Sequence, residues 1–312
     1  MSTLPSLKSF TPFSFITVRV QSILYNLGLD QITRSLEYLD NAALNAIRLG
    51  AISAATIAYG DCSPEPTIGN KTLQALRKNY TGIQAIDYTY FRANLGSAAG
   101  HNRLLTEAAS DLVMILNPDV LASPNLFCKL IDALARPGVG LVEARQIPIE
   151  HPKDYDRDTG ETSWASTACA IGPTKIFRDL GGFDADIFYL YGDDVDFSWR
   201  VRLAGYKVVH QSSAVVFHDK RLTREGDWIA SEAEKYYSAE AALLLTYKYS
   251  RADLTERYLD SFRNSKDETL LKVAGAFELR QKTGKMPAQI DEQHSVGQFI
   301  EGAYAQHRFR PR

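Results

Sequence analysis

Apolar positions in the first half of the chain alternate between short continuous runs and helical spacing. A first run covers Ser14 to Leu24, and Leu29 to Leu49 then carries apolar side chains three or four positions apart. Further runs at 51–60, 83–91, 111–116 and 138–146 are separated by helical segments at 71–79, 94–109 and 125–135. Strands that alternate with helices in this way predict a parallel sheet with right-handed crossovers.

The segment Thr167 to His218 concentrates the acidic side chains. It places Asp193, Asp194 and Asp196 between a strand of small residues and a helix, and it ends on His218 after a second apolar run. Residues 148–163, just before it, are polar and rich in turn formers, so we expect a mobile surface loop that orders over bound ligand as a lid. After Lys220 the pattern is helical, and its Tyr and Leu stripes are expected to pack on the sheet or to form a homodimer contact.

Composition narrows the class of protein. The 312 residues are 45% apolar and 23% charged with a net charge of −2, which is typical of a globular α/β protein and gives no basic footprint for nucleic acid. Three widely spaced cysteines contain no Cys-x-x-Cys pair, so a disulfide framework or zinc site is not expected and a cytoplasmic location is. No run approaches the length of a membrane helix, so any membrane contact would be peripheral.

Polar clusters follow several predicted strands, at the edge where ligands bind to open α/β sheets. They are Tyr25-Asn26, Asp61, Asn117 to Asp119, and His218. Asn117-Pro118-Asp119 is equally typical of a plain turn, and a lone histidine is usually structural. The functional alternative is that Asp119 and His218 share one divalent cation, with the imidazole favouring Mn²⁺ over Mg²⁺.

Two further motifs are ambiguous in isolation. The loop Asn94 to Asn102 carries two glycines and opens a helix, which suits either a structural turn or a close backbone approach to an anionic ligand. Asp193, Asp194 and Asp196 lie in a first helical turn, where acidic residues complement the helix dipole. Three carboxylates within four residues exceed what capping requires, so one of them is a candidate general base.

The motifs together resemble those of a known family. G-G-F-D-x-x-I-F-x-x-Y-x-D-D-V-D-F-x-x-R, then A-G-Y-K-V and V-V-F-H, with N-L-G-x-x-x-G-x-N and L-N-P-D-V upstream, resemble family 2 glycosyltransferases of the GT-A fold, in particular the bacterial rhamnosyltransferase-like branch. The resemblance implies a Rossmann-like, mixed but mainly parallel sheet flanked by helices. It places this domain at residues 1–230, with a C-terminal helical extension at 231–312.

The resemblance also implies an activity: inverting transfer of a sugar from a nucleotide-sugar donor to an acceptor hydroxyl. dTDP-rhamnose and UDP-hexoses are the first donors to consider, and a surface-polysaccharide or polyprenyl-linked glycan is the acceptor. The implied roles are general base for Asp194, Mn²⁺ or Mg²⁺ ligands for Asp119 and His218, and acceptor contacts for Asp193 and Trp164, with Trp164 equally suited to the core. The implied donor-binding residues are Tyr25, Asn26, Asp61, Asn94, Gly96, Asn102 and Asn117.

Departures from the family pattern and rival functions stay open at this point. The sequence after the second strand, Tyr59 to Glu65, differs from the usual family motif, so selectivity for the nucleobase is not implied. A sugar nucleotidyltransferase would need a basic glycine-rich loop after the first strand, which Tyr25 to Gly28 lacks. A non-catalytic glycan-binding or assembly protein is the other rival. The basic end (His307, Arg308, Arg310 and Arg312) suits a solvated tail or contact with anionic lipid on the inner face of a membrane.

Overall fold

A computed structural model describes residues 15–218, Arg224 and residues 230–305. Within these ranges the chain forms a single eight-stranded sheet with helices on both faces. The strands are β1 (Thr17–Leu24), β2 (Ala54–Asp61), β3 (Ile83–Tyr90), β4 (Leu112–Leu116), β5 (Val120–Ala122), β6 (Val139–Ile147), β7 (Cys169–Pro173) and β8 (Lys207–His218). The helices are α1 (Leu29–Arg48), α2 (Asn70–Asn79), α3 (Gly96–Leu105), α4 (Leu126–Leu134), α5 (Thr174–Asp179), α6 (Asp193–Leu203), α7 (Glu232–Lys248), α8 (Ala252–Arg263) and α9 (Glu268–Lys282).

The strand order is β3-β2-β1-β4-β7-β6-β8-β5. Strands β3, β2, β1 and β4 are parallel, and β6 pairs in parallel with β8. Strand β7 runs antiparallel to both of its neighbours, and β5 runs antiparallel to β8. The prediction of a mixed, mainly parallel sheet is therefore confirmed.

Each face of the sheet is covered by its own helices. One apolar core packs α1 and α4 on residues such as Val20, Met114 and Val142, and the other packs α3, α5 and α6 on Val113, Ile115 and Leu141. Because successive strand residues point to opposite faces, strands β4 and β6 serve both cores and are almost fully buried. Such burial on two faces explains their continuous apolar sequences.

The C-terminal helices α7, α8 and α9 pack against α6, the helix that begins with Asp193 and Asp194. A third core joins Leu244, Tyr258 and Phe277 of these helices to Val195 and Trp199 of α6. The Tyr and Leu stripes were expected to pack on the sheet, but they pack instead on α6 and on Ile187 and Phe188 just before it. The homodimer contact stays a prediction. The basic residues His307 to Arg312 lie outside the described residues.

Two sequence predictions differ from the structure. Strand β5 was not expected, because it has only three residues after a Pro-containing turn. That is too few to show the alternation of apolar and polar side chains that predicts a strand. The polar segment 148–163 was expected to be a mobile surface loop, but His151 and Thr162 are buried and Glu161 pairs with Val209 of β8. The segment is anchored to the sheet at these points, while residues 154–159 are exposed at the surface. Its role as a lid stays a prediction. None of the helices in the described ranges combines the length and apolar character that a bilayer crossing requires.

Candidate active site

Asp119 and His218 come together at one edge of the sheet. Asp119 lies in the turn between β4 and β5, and His218 is the last residue of β8. The antiparallel pairing of β5 with β8 sets Val120 opposite His218, which brings Nε2 of His218 to 3.4 Å from Oδ2 of Asp119. The two predicted metal ligands, 99 positions apart in the chain, are therefore adjacent because a three-residue strand aligns them.

Gln146 at the end of β6 fixes the orientation of the His218 ring. Its side-chain oxygen lies 2.8 Å from Nδ1 of His218, and both side chains are nearly buried. A carboxamide oxygen only accepts hydrogen bonds, so Nδ1 carries the hydrogen and donates it. In the neutral imidazole with this tautomer, the lone pair is on Nε2, the nitrogen that lies 3.4 Å from Oδ2 of Asp119.

This arrangement fits a divalent cation. A neutral Nε2 and a carboxylate oxygen 3.4 Å apart are both acceptors, and a positive charge is required to satisfy them together. Either a proton on Nε2 or a metal ion supplies it, and an outer hydrogen bond such as that from Nδ1 to Gln146 is typical of metal-bound histidine. In the described parts of the chain no group of three or more His, Cys, Asp or Glu side chains is arranged to hold a metal. The protein itself would supply two ligands.

Asp193 and Asp194 open helix α6 and are both nearly buried. The residue before them, Gly192, is the N-cap with a φ of 76°, a left-handed conformation that glycine adopts without strain. The first-turn N–H groups and the helix dipole favour negative charge here, and Val195 N–H donates to Oδ1 of Asp194 at 2.9 Å. The site thus holds two carboxylates in a poorly hydrated position.

A short segment connects these carboxylates to the Asp119 turn. Ser198, one turn after Asp194, accepts a hydrogen bond on Oγ from the N–H of Ala165 at 3.0 Å. Three residues later the carbonyl of Ala168 accepts from the N–H of Asn117 at 2.9 Å. The predicted catalytic helix and the predicted metal-binding turn are therefore both anchored to residues 165–168.

Four of the predicted donor-binding residues are at the carboxyl ends of β1 and β3. Tyr25 and Asn26 are exposed, and Asn26 takes the left-handed φ of 51° that asparagine tolerates. Asn94 is exposed, and its Oδ1 accepts from Gly96 N–H at 3.2 Å at the start of α3. Tyr189 lies close to this group: burial raises the pKa of its hydroxyl, and Tyr25 is among the nearby groups that raise it further. Asn117 is half-buried beside the Asp119 turn.

Asp61 has a different role from the one expected. It is fully buried, and its two oxygens accept hydrogen bonds from the N–H of Ser63 at 2.8 Å, the N–H of Thr67 at 2.7 Å and the hydroxyl of Tyr88 at 2.6 Å. Burial by itself would raise the pKa of this carboxyl, but these bonds outweigh it and hold the pKa below its usual value. Asp61 organises the loop after β2, and its burial argues against the direct contact with the donor that the resemblance implies.

Asn102 and Trp164 also differ from their predicted roles. The amide of Asn102 clamps the backbone of Phe183, accepting from its N–H at 2.8 Å and donating to its carbonyl at 2.7 Å, so it holds a loop rather than lining a donor. Trp164 is 2% exposed, and the ammonium of Lys153 lies 3.7 Å above its ring. A buried indole with one face already covered is not an open platform for an acceptor sugar.

Asp196, expected to cap α6, instead lies inside the fold. Its carboxylate is completely buried and pairs with Lys248 at 2.6 Å and Arg200 at 2.8 Å, and it accepts from the hydroxyl of Tyr249 at 3.1 Å. Lys248 also pairs with Asp184 at 2.6 Å. This cluster ties α6 to α7 through buried charge.

The sequence prediction missed several of these residues. Gln146 is the next-to-last residue of β6, as His218 is the last residue of β8, and that position could have singled it out. Glu143 carries the plainest signal, a carboxylate in the middle of the apolar run of β6. Its partners Lys153 and His210 are separated from it by 10 and 67 positions, and no local pattern relates them.

Comparison with proteins of known function gives relatives of one kind. No family model matches the chain. The "Pre-mycofactocin glycosyltransferase" of Mycobacterium tuberculosis is 31% identical over 168 residues, covering 48% of this chain and 35% of the relative. An "N-acetylglucosaminyl-diphospho-decaprenol L-rhamnosyltransferase" of the same species is 26% identical over 199 residues, covering 48% of this chain and 62% of the relative. The chain thus spans less than two thirds of the length of these relatives.

Solved structures agree on the fold. A mannosyltransferase from Pyrobaculum calidifontis, in complex with GDP-Man and Mn²⁺, superposes with a TM-score of 0.58 at 16% identity, covering 88% of this chain and 83% of that one. GalNAc-T7 with UDP, GalNAc and Mn²⁺ superposes with a TM-score of 0.59 at 12% identity, covering 88% of this chain and 56% of that one. At such identities the likeness concerns the fold. The chain has the GT-A fold and is similar in sequence to named glycosyltransferases, a rhamnosyltransferase among them, which confirms the resemblance seen in its motifs.

Proposed function

We propose that this protein is an inverting, metal-dependent glycosyltransferase. The donor would be a nucleotide sugar, with dTDP-rhamnose and UDP-hexoses as first candidates, and the acceptor a hydroxyl of a surface-polysaccharide or lipid-linked glycan. The observation that carries the proposal is the 3.4 Å approach of His218 Nε2 to Asp119 Oδ2, with Gln146 holding the ring in the tautomer that a cation needs. The rhamnosyltransferase relative, named for a decaprenol-linked substrate, supports the choice of acceptor.

The proposed reaction is a single displacement. The carboxylate of Asp194 takes the proton of the acceptor hydroxyl while that oxygen attacks the anomeric carbon. The bond between this carbon and the phosphate oxygen breaks, and the nucleoside diphosphate leaves with the bonding pair. The near-burial of Asp194 keeps bulk water away from the carboxylate, which disfavours hydrolysis of the donor.

Asp119 and His218 would hold Mn²⁺ or Mg²⁺, which neutralises charge on the departing diphosphate when it is bound. Diphosphate oxygens and water would complete the coordination. Tyr25, Asn26, Asn94, Gly96 and Asn117 are kept as donor-binding residues, since they lie at the carboxyl ends of β1, β3 and β4. Asp193 is kept as an acceptor-positioning residue beside Asp194. The cytoplasm is kept as the location, since all three cysteines are free.

A donor panel tests the proposal. Nucleoside diphosphate release is measured with dTDP-rhamnose, UDP-hexoses and GDP-mannose, each with Mn²⁺, Mg²⁺ or EDTA. We expect one donor to be turned over only with metal, and Asp194→Asn to lower kcat by about 10²- to 10⁴-fold without weakening donor binding. Asp186→Asn, an exposed carboxylate in the loop before α6, is the matched control and should retain activity. Near-normal transfer by Asp194→Asn would refute the base assignment.

Silence with every donor would contradict the proposed activity. If the protein then bound glycans tightly, the non-catalytic glycan-binding alternative would be preferred. Asp119→Ala separates the metal from the base, because it should abolish metal-dependent donor binding itself.

A further inference from the structure

Two tyrosines from distant parts of the chain meet beside the candidate site. Tyr189 lies in the loop that leads into α6, and Tyr237 lies near the start of α7. Their ring centroids are 5.1 Å apart with the planes inclined at 38°, and both residues are half-buried. Neither was singled out by the sequence motifs, and the proposed reaction does not yet use them.

Tyr189 is held against the donor-binding loop. Its carbonyl accepts a hydrogen bond from Ser97 N–H at 3.1 Å, and a Cβ on Gly96 would lie only 2.7 Å from its ring. Gly96 also has a φ of 74°, so two independent constraints keep this position a glycine and the ring pressed on the start of α3. Burial raises the pKa of the Tyr189 hydroxyl, and Asn94 is close enough to oppose part of this rise. The ring therefore lies against the loop that follows β3 and opens α3.

Tyr237 is brought to the same place by the docking of α7. A Cβ on Gly192, the N-cap of α6, would lie 2.6 Å from Cβ of Ala241, so α7 touches the residue directly before Asp193 and Asp194. Ala241 and Tyr237 are four positions apart and share one helix face. The same face of α7 thus carries Ala241, which contacts the N-terminus of α6, and Tyr237.

We propose that Tyr189 and Tyr237 form an aromatic subsite that binds a pyranose ring next to Asp194. A sugar offers one apolar face of C–H groups and a rim of hydroxyls, and a tyrosine pair offers apolar ring faces with two hydroxyl groups. This subsite takes the role that the buried Trp164 does not fulfil. It rests on the proposed function for the identity of its ligand, which is the sugar of either the donor or the acceptor.

The test observes the tyrosines directly. The full chain is labelled with 3-fluorotyrosine, and the ¹⁹F resonances of Tyr189 and Tyr237 are assigned with Tyr189→Phe and Tyr237→Phe among the 16 tyrosines. Nucleotide sugars with Mn²⁺, and separately methyl rhamnoside, glucoside, galactoside and mannoside, are titrated in. We expect saturable shifts of both resonances. Shifts with nucleotide sugars alone identify the donor sugar as the ligand, and shifts with the methyl glycosides identify the acceptor.

Variants quantify the contribution. Tyr237→Ala should weaken binding of the responding sugar by about 5- to 10-fold and remove the shift at Tyr189, while Tyr237→Phe should keep most of the binding through its ring. Tyr247→Ala is the matched control, since Tyr247 is also half-buried on α7 but packs on Phe277 with ring centroids 6.1 Å apart. It removes a comparable ring from the same helix and should leave the sugar-induced shifts unchanged.

The outcomes separate this subsite from the proposed activity. Turnover of a donor with no response of either tyrosine to any sugar would overturn the subsite and leave the glycosyltransferase standing. A saturable tyrosine response without nucleoside diphosphate release from any donor would support the subsite as a sugar-binding site and count against the activity. Absence of any ¹⁹F response in a folded protein refutes the subsite in either case.

Discussion

At the scale of single residues, the contact between Gln146 and His218 is the part of the metal hypothesis that a single substitution tests most directly. Replacing Gln146 by leucine keeps the approximate shape and removes the acceptor 2.8 Å from Nδ1 of His218. The buried imidazole then loses the bond that keeps the proton off Nε2. We expect the affinity for Mn²⁺ in the presence of nucleoside diphosphate to fall by about 10- to 100-fold. Electron paramagnetic resonance of free Mn²⁺ measures this affinity.

Two further measurements make this prediction specific. Nitrogen-15 NMR of the metal-free protein should show the Nδ1–H tautomer of His218 in the wild type and a mixture in Gln146→Leu. Gln289→Leu is the control, because the Gln289 side chain is exposed and bonds only a backbone carbonyl of Tyr247 at 3.3 Å. An unchanged Mn²⁺ affinity in Gln146→Leu would mean that the ring is oriented by something else.

Residues differ in how far their roles could be predicted. Asp119 and His218 could be paired from the sequence because both end strands, and strand ends share one edge of an α/β sheet. Asn102 could not, since its amide is committed to Phe183, 81 positions later, by a loop geometry that no local pattern encodes. Asp61 shows the same limit: its residue type suits a ligand, but three hydrogen bonds to its own loop and β3 bury it.

At the scale of elements, the segment 148–166 is held by a buried charge network. Glu143 of β6 is paired with the ammonium of Lys153 at 2.7 Å and with Nδ1 of His210 at 3.1 Å, and it accepts from Ser166 N–H at 2.6 Å. His210 of β8 also contacts Glu150 through Nε2 at 3.0 Å. Since residues 165–168 anchor both α6 and the Asp119 turn, this network supports the geometry of the candidate site.

This network predicts that the protein becomes less stable as the pH rises into the alkaline range. Burial would lower the pKa of His210, but hydrogen bonds and charge from Glu143 and Glu150 outweigh it and raise this pKa to about 9. Because this pKa is raised on folding, the protonated His210 stabilises the fold fully below about pH 6.5, the pKa of an unfolded histidine. This stabilisation is lost as the pH rises through about 9. We expect the free energy of unfolding to fall by on the order of 1–3 kcal/mol across this window, measured by urea denaturation at each pH.

At acidic pH the free energy of unfolding changes in the opposite direction, falling as the pH is lowered. One variant isolates the change expected at alkaline pH. Burial would raise the pKa of Glu143, but Lys153 and His210 outweigh it and lower that pKa, so its contribution is lost only as the pH falls through the lowered value. His210→Gln removes the titrating group and should flatten the slope between pH 6.5 and 9. A wild-type stability that stays constant in this window would contradict the network's proposed protonation.

Elements as such were predicted more reliably than the connections between them. Apart from β5, the strands and helices up to β6 follow the apolar periodicity within a few residues, because each has one or two faces in the core. The segment 148–163 was expected to be a surface loop because its sequence is polar. Residues 154–159 are indeed exposed, but Lys153 and Glu150 pair with Glu143 and His210 inside the fold. A polar sequence therefore indicates an exposed loop only where the fold offers its side chains no buried polar partner.

At the scale of the whole molecule, the division at residue 230 is the prediction most in need of a test. The sequence changes there from alternating strands and helices to helices alone, which suggested a separate region at 231–312. In the structure, however, α7, α8 and α9 share a continuous core with α6, and Asp196 pairs with Lys248 across that boundary. Helix α6 thus packs toward the sheet through Phe197 and Val201 and toward the C-terminal helices through Val195 and Trp199.

One shared core predicts one cooperative unfolding transition. Pulsed hydrogen exchange with mass spectrometry along a urea series should show peptides from β1 and β2 and peptides from α7 to α9 losing protection at the same urea concentration. Asp196→Asn leaves Lys248 and Arg200 without a buried anion and should lower the free energy of unfolding by about 3 kcal/mol, moving both sets of peptides together. Asp253→Asn is the matched control, because its ion pair with Arg251 at 2.7 Å is at the surface and should cost less than about 1 kcal/mol. If α7 to α9 opened first, and Asp196→Asn moved only those peptides, the chain would instead consist of two independently stable parts.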